Sequence, residues 1–463
     1  LNSFHPEIRF RFGDTVLTWG GWDRTLDVRV QAVRVFEKSG GVIANIPEVS
    51  FSLSAQALLH GTLAPRSVEL FGPRLFLARR GDGSVEVALG EVRGESQDFL
   101  QRLLGQLLAP PDTKSPMGYL ARLNILGADL TLVDVDRQRT WSAPSADVRL
   151  RRDADGLRGE ASFEIAADGR ESRVLIRGIH HAVDGRTEAT VSFGYARPAA
   201  FAEFVEAFAP FAALDLPLAG TASLTLNRDG GVQALGFDLT GGAGRLVLPE
   251  PASQTMALGG LALKGRYVGE ADRLEVETFR LDLPPDGVFA LPDGAPGKTH
   301  PVPLRRIEGR GVYFPREARA EVTDMSLDLG GGRLLRLTAA AAAQGTDIAI
   351  RARGRLENIR IDDAAKYWPA SWGRDARAWV VAHLSDGVLA LARADLDGRL
   401  GADGKFVIAA LKGDMDIRDA TVDYLAPMPK ASHVFARTTY DATRFDIAIE
   451  KGEAPGLAVT GRA

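Results

Sequence analysis

The sequence predicts a mainly β protein: an elongated, mostly antiparallel sheet with three short helices. Apolar and polar residues alternate with a period of two along most of the chain, as at Ile8, Phe10 and Phe12, which is the pattern of half-buried strands. Glycine supplies 50 of the 463 residues and often follows aspartate, as at 155–156 and 397–398; such turns between alternating segments are typical of all-β chains. One strand unit also recurs, as in sheets where each unit contacts only its neighbours.

The recurring unit is a strand interrupted at a glycine. Its copies are VELFGPRLFL at 68–77, LNILGADLTL at 123–132 and MDIRDATVDY at 415–424. In a flat strand Leu70 and Leu75 would face opposite sides. A β-bulge at the glycine restores a common side, whereas a hairpin turn at Gly72-Pro73 is the alternative. We favour the bulge because Asp419, at the glycine position of the third copy, tolerates the left-handed region better than the conformation that opens a type II′ turn.

Three segments change to helical periodicity. They are residues 98–108, stopped by Pro110-Pro111, residues 198–214, and residues 362–384, closed by Gly387. We predict an N-terminal β block over 1–197, a second β block over 198–361 that opens with a helix, and a C-terminal segment over 362–463 with its helix followed by a β repeat. The apolar stripe through Trp372 and Trp379 predicts a helix that faces the core.

Composition excludes several classes of function. The formal net charge of −4 argues against nucleic acid as a partner. The absence of cysteine excludes a disulfide scaffold, thiolate zinc sites and cysteine nucleophiles. No run of about 18 apolar residues predicts a membrane-spanning helix, and hydrophobic residues at 45% suffice for a large core.

No motif carries recognisable chemistry. GAPGKT at 294–299 resembles a phosphate-binding loop, but Pro292 stands where the first glycine is needed. The adjacent His180 and His181 would point to opposite faces of a strand and could not chelate one ion. We therefore expect no catalytic residues, no metal and no cofactor, and we expect that the protein is not an enzyme.

Three segments in order resemble AsmA-like proteins, in particular the YhdP type. They are PEVSFSLSAQALLHGTLAPRSVELFGPRLFLARRGDGS at 47–84, KYWPASWGRDARAWVVAHLSDGVLALA at 366–392 and GDMDIRDATVDYLAPMPKASHVFA at 413–436. The last departs from the family's unit, because Met428 replaces a leucine before proline. The resemblance implies a twisted antiparallel sheet of repeated units, curled into an open U-shaped groove that shields phospholipid acyl chains between the inner and outer membranes.

The resemblance also implies a cellular setting. It is the periplasm of Gram-negative bacteria, with an N-terminal anchor in the inner membrane, a role in outer membrane biogenesis, phospholipids as cargo, and inner- and outer-membrane proteins as partners at the two ends. The sequence has no such anchor and is shorter than full-length members, so we expect it to be a segment of a longer protein.

Alternating apolar positions are the expected lining of the groove. They are Phe51, Leu53, Val68, Leu70, Leu75, Leu77, Leu123, Ile125, Leu130, Leu132, Met415, Ile417, Val422 and Tyr424. A diacyl lipid exposes on the order of 30 methylenes at about 0.8 kcal/mol each, so an apolar wall would remove most of a barrier of roughly 20 kcal/mol. An alternative role for Trp372 and Trp379 is a plug or gate of this groove. The alternative for the whole chain is a structural or adhesive β-solenoid, or an assembly factor of the cell envelope, with a closed core and no lipid, because half-buried strands always alternate.

Overall fold

The computed structural model describes residues 8–18, 27–37, 42–79, 85–88, 105–134, 139–167, 170–197, 213–248, 254–294, 298–402, 406–425 and 427–462. The protein is mainly β, with 67% strand and 8% helix. Its principal sheet is mixed, and over the described residues it does not close into a barrel. The predicted mainly β class is confirmed, whereas the sheet, predicted to be antiparallel, is mixed.

The chain divides into two compact units. We call Leu1–Ala196 with Ala219–Leu235 the N-terminal unit, and Arg197–Leu218 with Gly236–Ala463 the C-terminal unit. Most of the blocks predicted over 198–361 and 362–463 falls in the C-terminal unit.

The element bounds follow chain order. Before residue 197 the strands are β1 (Ile8–Arg11), β2 (Thr15–Thr18), β3 (Asp27–Glu37), β4 (Val42–Leu53), β5 (Pro65–Phe71), β6 (Arg74–Arg79), β7 (Val85–Ala88), β8 (Arg122–Asp134), β9 (Arg139–Arg152), β10 (Gly156–Ala167), β11 (Arg170–His181) and β12 (Thr187–Ala196). After it they are β13 (Leu214–Asp215), β14 (Leu218–Leu226), β15 (Val232–Gly241), β16 (Gly244–Leu248), β17 (Gln254–Leu258), β18 (Gly260–Val268), β19 (Arg273–Asp282), β20 (Val288–Pro292), β21 (Thr299–Pro303), β22 (Arg306–Phe314), β23 (Arg319–Asp328), β24 (Leu334–Gln344), β25 (Asp347–Arg360), β26 (Leu384–Ser385), β27 (Val388–Leu400), β28 (Phe406–Val422), β29 (Ala431–Asp441), β30 (Phe445–Ala454), β31 (Leu457–Ala458) and β32 (Gly461–Arg462). The helices whose two ends the structure describes are α1 (Ala55–Leu59), α2 (Ala364–Tyr367) and α3 (Arg374–His383), with 3₁₀ turns at Pro116–Tyr119 and Ile361–Asp363.

The sheet of the N-terminal unit contains a parallel step. β1 and β2 pair with β3, then β3 with β4 and β4 with β5, all antiparallel. β5 and β6 next lie end to end along β8, both parallel to it. From β8 the order continues antiparallel through β9, β10 and β11 to β12. Because β5 and β6 run in one direction, the chain does not reverse at Gly72-Pro73, and the hairpin alternative is excluded.

The interruption at the glycine is the predicted bulge. Gly72 and Gly127 have φ of 60° and 61° and lie opposite each other, since β5 and β6 keep one register along β8. On the other side of β8, Ile125 pairs with Val148 but Ala128 pairs with Ala146. One extra residue is therefore inserted in β8 at the left-handed glycine.

Asp419 makes the same bulge in the C-terminal unit. Its φ is 57°, and Ile417 pairs with Ala436 whereas Ala420 pairs with Val434. Ile417 and Ala420 are an odd number of residues apart, yet both belong to one apolar cluster. The bulge thus keeps the two halves of the strand on one side, as predicted.

The long sheet of the C-terminal unit is antiparallel throughout. Its spatial order is β18, β19, β22, β23, β24, β25, β27, β28, β29 and β30. Short strands extend its margins: β26 pairs with β28, and β31 and β32 pair with β30. A three-stranded sheet, β13–β16–β17, and the hairpin β20–β21 form separate small layers.

The predicted helices meet three different outcomes. Of 98–108, residues 98–104 lie outside the described part and 105–108 are helical. Of 198–214, residues 198–212 lie outside it, and Leu214 is a strand residue paired with Leu246 in β16, so the predicted end of that helix is wrong. The segment 362–384 is broken into α2 and α3 around the fully buried Pro369, because proline cannot continue a helix.

The prediction that the tryptophan stripe faces the core is also wrong. Trp372 precedes α3 and is 51% exposed, and Trp379 on α3 is 43% exposed. No residue of α3 is fully buried. The contact with the core falls instead to Tyr367 of α2, which packs against the cluster around Leu304.

Candidate functional site

The C-terminal unit carries a broad apolar surface on one side of its long sheet. In β25 the residues Ile350, Ala352, Gly354 and Leu356 alternate with Arg351, Arg353 and Arg355. Successive side chains of a strand point to opposite faces. One side of the sheet is therefore aliphatic and the other is charged.

Cross-strand register extends the aliphatic side over five strands. One row consists of Val322, Ala339, Ala352, Leu396 and Leu411, and the next of Met325, Leu337, Gly354, Ala394 and Gly413. We call the side of β23, β24, β25, β27 and β28 that holds these two rows the apolar face. At a strand spacing of about 4.8 Å each row is about 19 Å long.

The apolar face is half-buried along these rows. Every residue of the two rows keeps part of its surface exposed, and none belongs to the buried core. Farther along the same strands larger side chains are open to solvent: Ile348 is 40% exposed, Phe406 44% and Ile408 49%. No residue of the two rows belongs to, or packs against, the buried clusters around Leu304 and Ala420.

Two glycines of this surface accommodate aromatic rings. A Cβ on Gly398 would collide with the ring of Phe406, and a Cβ on Gly413 with the ring of Tyr440. The Tyr440 hydroxyl donates to the carbonyl of Arg393 at 2.9 Å, and burial raises the pKa of Tyr440. The ring of Phe406 therefore lies over Gly398, and the ring of Tyr440 lies over Gly413.

The opposite side of the same strands is lined by ion pairs. Arg351 lies 3.4 Å from Asp397, and Arg353 lies 3.1 Å from Asp395. A hollow of about 610 Å³ lies over these strands, and its walls include these four side chains and Lys412. Val322, Ala339, Ala352 and Leu396 of the first row also line the hollow, so polar and apolar residues share its walls.

One end of the apolar face is covered by a second layer. Leu283, Val302, Leu304 and Leu329 are buried there together with Met256 of β17. Partly buried residues of the sheet pack beneath them: Ile307, Leu327, Leu335 and Leu356. The small layers of the unit thus cover this end of the apolar face.

The predicted lining residues of the N-terminal unit lie side by side. Phe51 pairs with Val68 and Val68 with Leu123; Leu70 pairs with Ile125, and Leu75 with Leu130. Leu53 pairs with Pro65 at the end of β4. The backbones of Leu77 and Leu132 pair as well, but their side chains lie outside the described part of the structure.

Much of this predicted lining belongs to local cores. Val68 and Leu123 pack under Leu107 and Leu120. Phe51 and Leu70 pack in the cluster of Val30, Val33 and Ile46. Arg152, which is 8% exposed, holds the covering segment in place by donating to the carbonyls of Met117 and Ala109 at 3.0 and 2.8 Å, and burial lowers its pKa.

The predicted lining residues of the C-terminal unit are also divided. Met415 pairs with Ala392 in the row next to those of the apolar face. Ile417 and Val422 pack against the cluster of Ala420, Ala431 and Val434. Tyr424 follows the end of β28 and is 49% exposed.

The remaining motifs have structural settings. His180 bonds to the Thr187 hydroxyl at 2.9 Å, whereas His181 lies 3.7 Å from Glu188, so the two rings do face apart. GAPGKT connects β20 to β21 and is followed by a strand rather than the helix of a phosphate-binding loop. Among the described residues no three His, Asp or Glu side chains gather as metal ligands.

None of the helices that the structure describes is long and apolar enough to span a bilayer. No family model, curated protein or solved structure matches the chain.

Proposed function

We propose that the chain is a periplasmic segment of a bridge-like lipid transport protein, whose apolar face shields phospholipid acyl chains on their way between the inner and the outer membrane. The observation that carries the proposal is the apolar face itself, two rows of aliphatic residues that stay partly exposed and lie outside the buried clusters around Leu304 and Ala420. Apolar surface of this extent is costly to leave in water. An occupant made of hydrocarbon removes that cost.

The composition of the rows also suits a moving cargo. Alanine, glycine, valine and leucine dominate them, so neighbouring positions offer an acyl chain similar contacts. Dispersion contacts are individually weak, at about 0.1–0.2 kcal/mol per atom pair. An acyl chain that exchanges one set of dispersion contacts for a similar set meets no deep energy minimum and can slide along the rows.

A structural β protein with a closed core is the second candidate. The buried layers at the end of the C-terminal unit and over Val68 and Leu123 favour it locally. It requires that the rows of the apolar face be covered by another protein surface instead of by lipid.

Mass spectrometry of an organic extract of the purified chain separates the two candidates. Lipid transport predicts phospholipid in stoichiometric amount after extensive washing. An extract without phospholipid, from protein whose far-ultraviolet circular dichroism shows an intact sheet, would favour the structural candidate.

A further inference from the structure

The charged side of the long sheet breaks its pairing of opposite charges at one place. Arg351 and Arg353 of β25 each pair with an aspartate of β27, and they lie 3.4 and 3.1 Å from its carboxylate. The next position on this side pairs Arg355 with Arg393. An arginine therefore stands where the two preceding pairs have an acid.

A third arginine extends this pair onto β24. Arg336 pairs with Arg355, which pairs with Arg393, and directly paired residues lie on the same face with Cα atoms about 4.5–5.5 Å apart. We call Arg336, Arg355 and Arg393 the arginine row. Like charges directly opposite each other on neighbouring strands are destabilising, so the arginine row lowers stability unless an anion lies against it.

The carboxylates beside the arginine row neutralise it incompletely. Arg393 donates to Asp414 at 3.0 Å. Arg336 and Arg355 share Glu357, whose Oε1 atom lies 3.9 Å from Nη1 of Arg336 and 2.5 Å from Nε of Arg355. Among the residues that the structure describes, this Oε1 atom has no hydrogen-bond partner. Three guanidinium groups are thus matched by two carboxylates.

The acids in the flanking rows have arginine partners of their own. Asp395 is paired with Arg353, and Asp416 with Arg418. Each guanidinium of the arginine row has five N–H donors, and each of these side chains is more than half exposed. The arginine row therefore offers both positive charge and donors to a ligand from solution.

A phosphate group is the anion that suits this arrangement. A single guanidinium fork satisfies the two oxygens of a planar carboxylate, whereas a phosphomonoester presents three acceptor oxygens and a charge of about −1.5 to −2 at pH 7. It can therefore accept from the forks of Arg336 and Arg355 together. Ser326, which pairs with Arg336 on the other side, adds a hydroxyl donor.

We propose that the arginine row is a binding site for a phosphate group, with Arg336 and Arg355 as its main donors. The site goes beyond the proposed function, because it lies on the charged side of the strands that carry the apolar face. Phosphate binding therefore does not require lipid carriage, and the two ideas fail separately.

Isothermal titration calorimetry at constant ionic strength tests the site with two probes. Inorganic phosphate presents the free anion, and dihexanoyl phosphatidic acid presents the same group as the headgroup of a water-soluble lipid. Equal affinities would show that the site recognises the phosphate group alone. Binding of one probe at least about tenfold more tightly would identify free phosphate or a lipid headgroup as the source. No binding of either probe at concentrations up to about 10 mM would overturn the proposal.

Two matched arginine variants locate the binding. Arg355→Gln should weaken phosphate binding at least about tenfold, because it removes charge-assisted hydrogen bonds. The control is Arg351→Gln, which removes the same charge from the same side of β25 about 13 Å away along the strand and should change the affinity less than about twofold. Circular dichroism of both variants should match the unaltered chain, since these side chains are exposed.

The comparison of the two variants decides between a site and general attraction. Equal losses in both variants, or unchanged binding in Arg355→Gln, would overturn the site at the arginine row. Extraction of phospholipid from the same preparations tests lipid carriage independently of this result.

Discussion

Replacing Gly127 with alanine isolates the energy of the bulge. Nothing lies within 4 Å of an added Cβ, so the substitution creates no clash and acts on the backbone alone. At its φ of 61° an L-residue is disfavoured by about 1–2 kcal/mol. Alanine also lowers the conformational entropy of the unfolded chain, which offsets about 0.5 kcal/mol of this destabilisation. We expect the free energy of unfolding to fall by about 1 kcal/mol.

The matched control for Gly127→Ala is Gly194→Ala in the same unit. Gly194 also has open space around its Cβ position, but its φ lies outside the left-handed region. Alanine there should leave stability unchanged or raise it by about 0.5 kcal/mol. The assay is urea unfolding followed by circular dichroism. Equal effects of the two substitutions would refute the argument that left-handed geometry at Gly127 sustains the bulge.

Four further substitutions test the covered ends and the small layers. Leu304→Ala, at a side chain 2% exposed, should lower the free energy of unfolding by about 2–5 kcal/mol, whereas Leu425→Ala, at one 60% exposed, should change it by less than about 0.5 kcal/mol; chemical denaturation measures both. Arg152→Met removes two bonds from a buried guanidinium to the carbonyls of Met117 and Ala109 and should cost about 2 kcal/mol, with faster hydrogen exchange in residues 105–121. The amide of Ser371 donates to the Asp293 carboxylate at 2.7 Å and lowers the pKa of that carboxyl. The stability that the ionised carboxylate contributes is therefore complete above about pH 4 and is lost as the pH falls through the lowered pKa. In Asp293→Asn this part of the dependence of stability on pH should disappear from the acid unfolding curve.

The bulged strand unit was predictable because its cause is local. The odd spacing between Leu70 and Leu75 conflicts with a flat strand. The third copy has aspartate at the glycine position, and aspartate favours a left-handed bulge over a type II′ turn. A second local feature accompanies the bulge. The residue after each left-handed position is fully buried in all three copies, at Pro73, Ala128 and Ala420, and all three are small or compact enough to lie under neighbouring strands.

The strand partners were not predictable from the sequence. β5 and β6 pair in parallel with β8, whose residues are 55 positions later for Leu70 and Ile125, and no local pattern encodes such a pairing. The exposed stripe of α3 has a similar origin. Amphipathic spacing shows that a helix has an apolar side, but the packing around Pro369 and Tyr367 decides that this side faces solvent.

The prediction of lining residues favoured the largest aliphatic side chains. Those positions include Val68 and Ile417, which pack in local cores because large side chains fill a closed layer well. Half of the residues in the two rows of the apolar face are alanine or glycine, such as Ala339 and Ala352. Its signal in the sequence is the regular alternation with arginine in β25, whereas the alanine run of β24 has the composition of a helix.

Photo-crosslinking at two adjacent alanines tests the central claim most directly. Ala339 lies on the apolar face, and Ala340, the next residue of β24, lies on the charged side and pairs with Arg351. A photo-reactive residue at 339 should capture phospholipid in cells, and the same residue at 340 should capture little. Equal capture at both positions, or none at 339, would contradict the account.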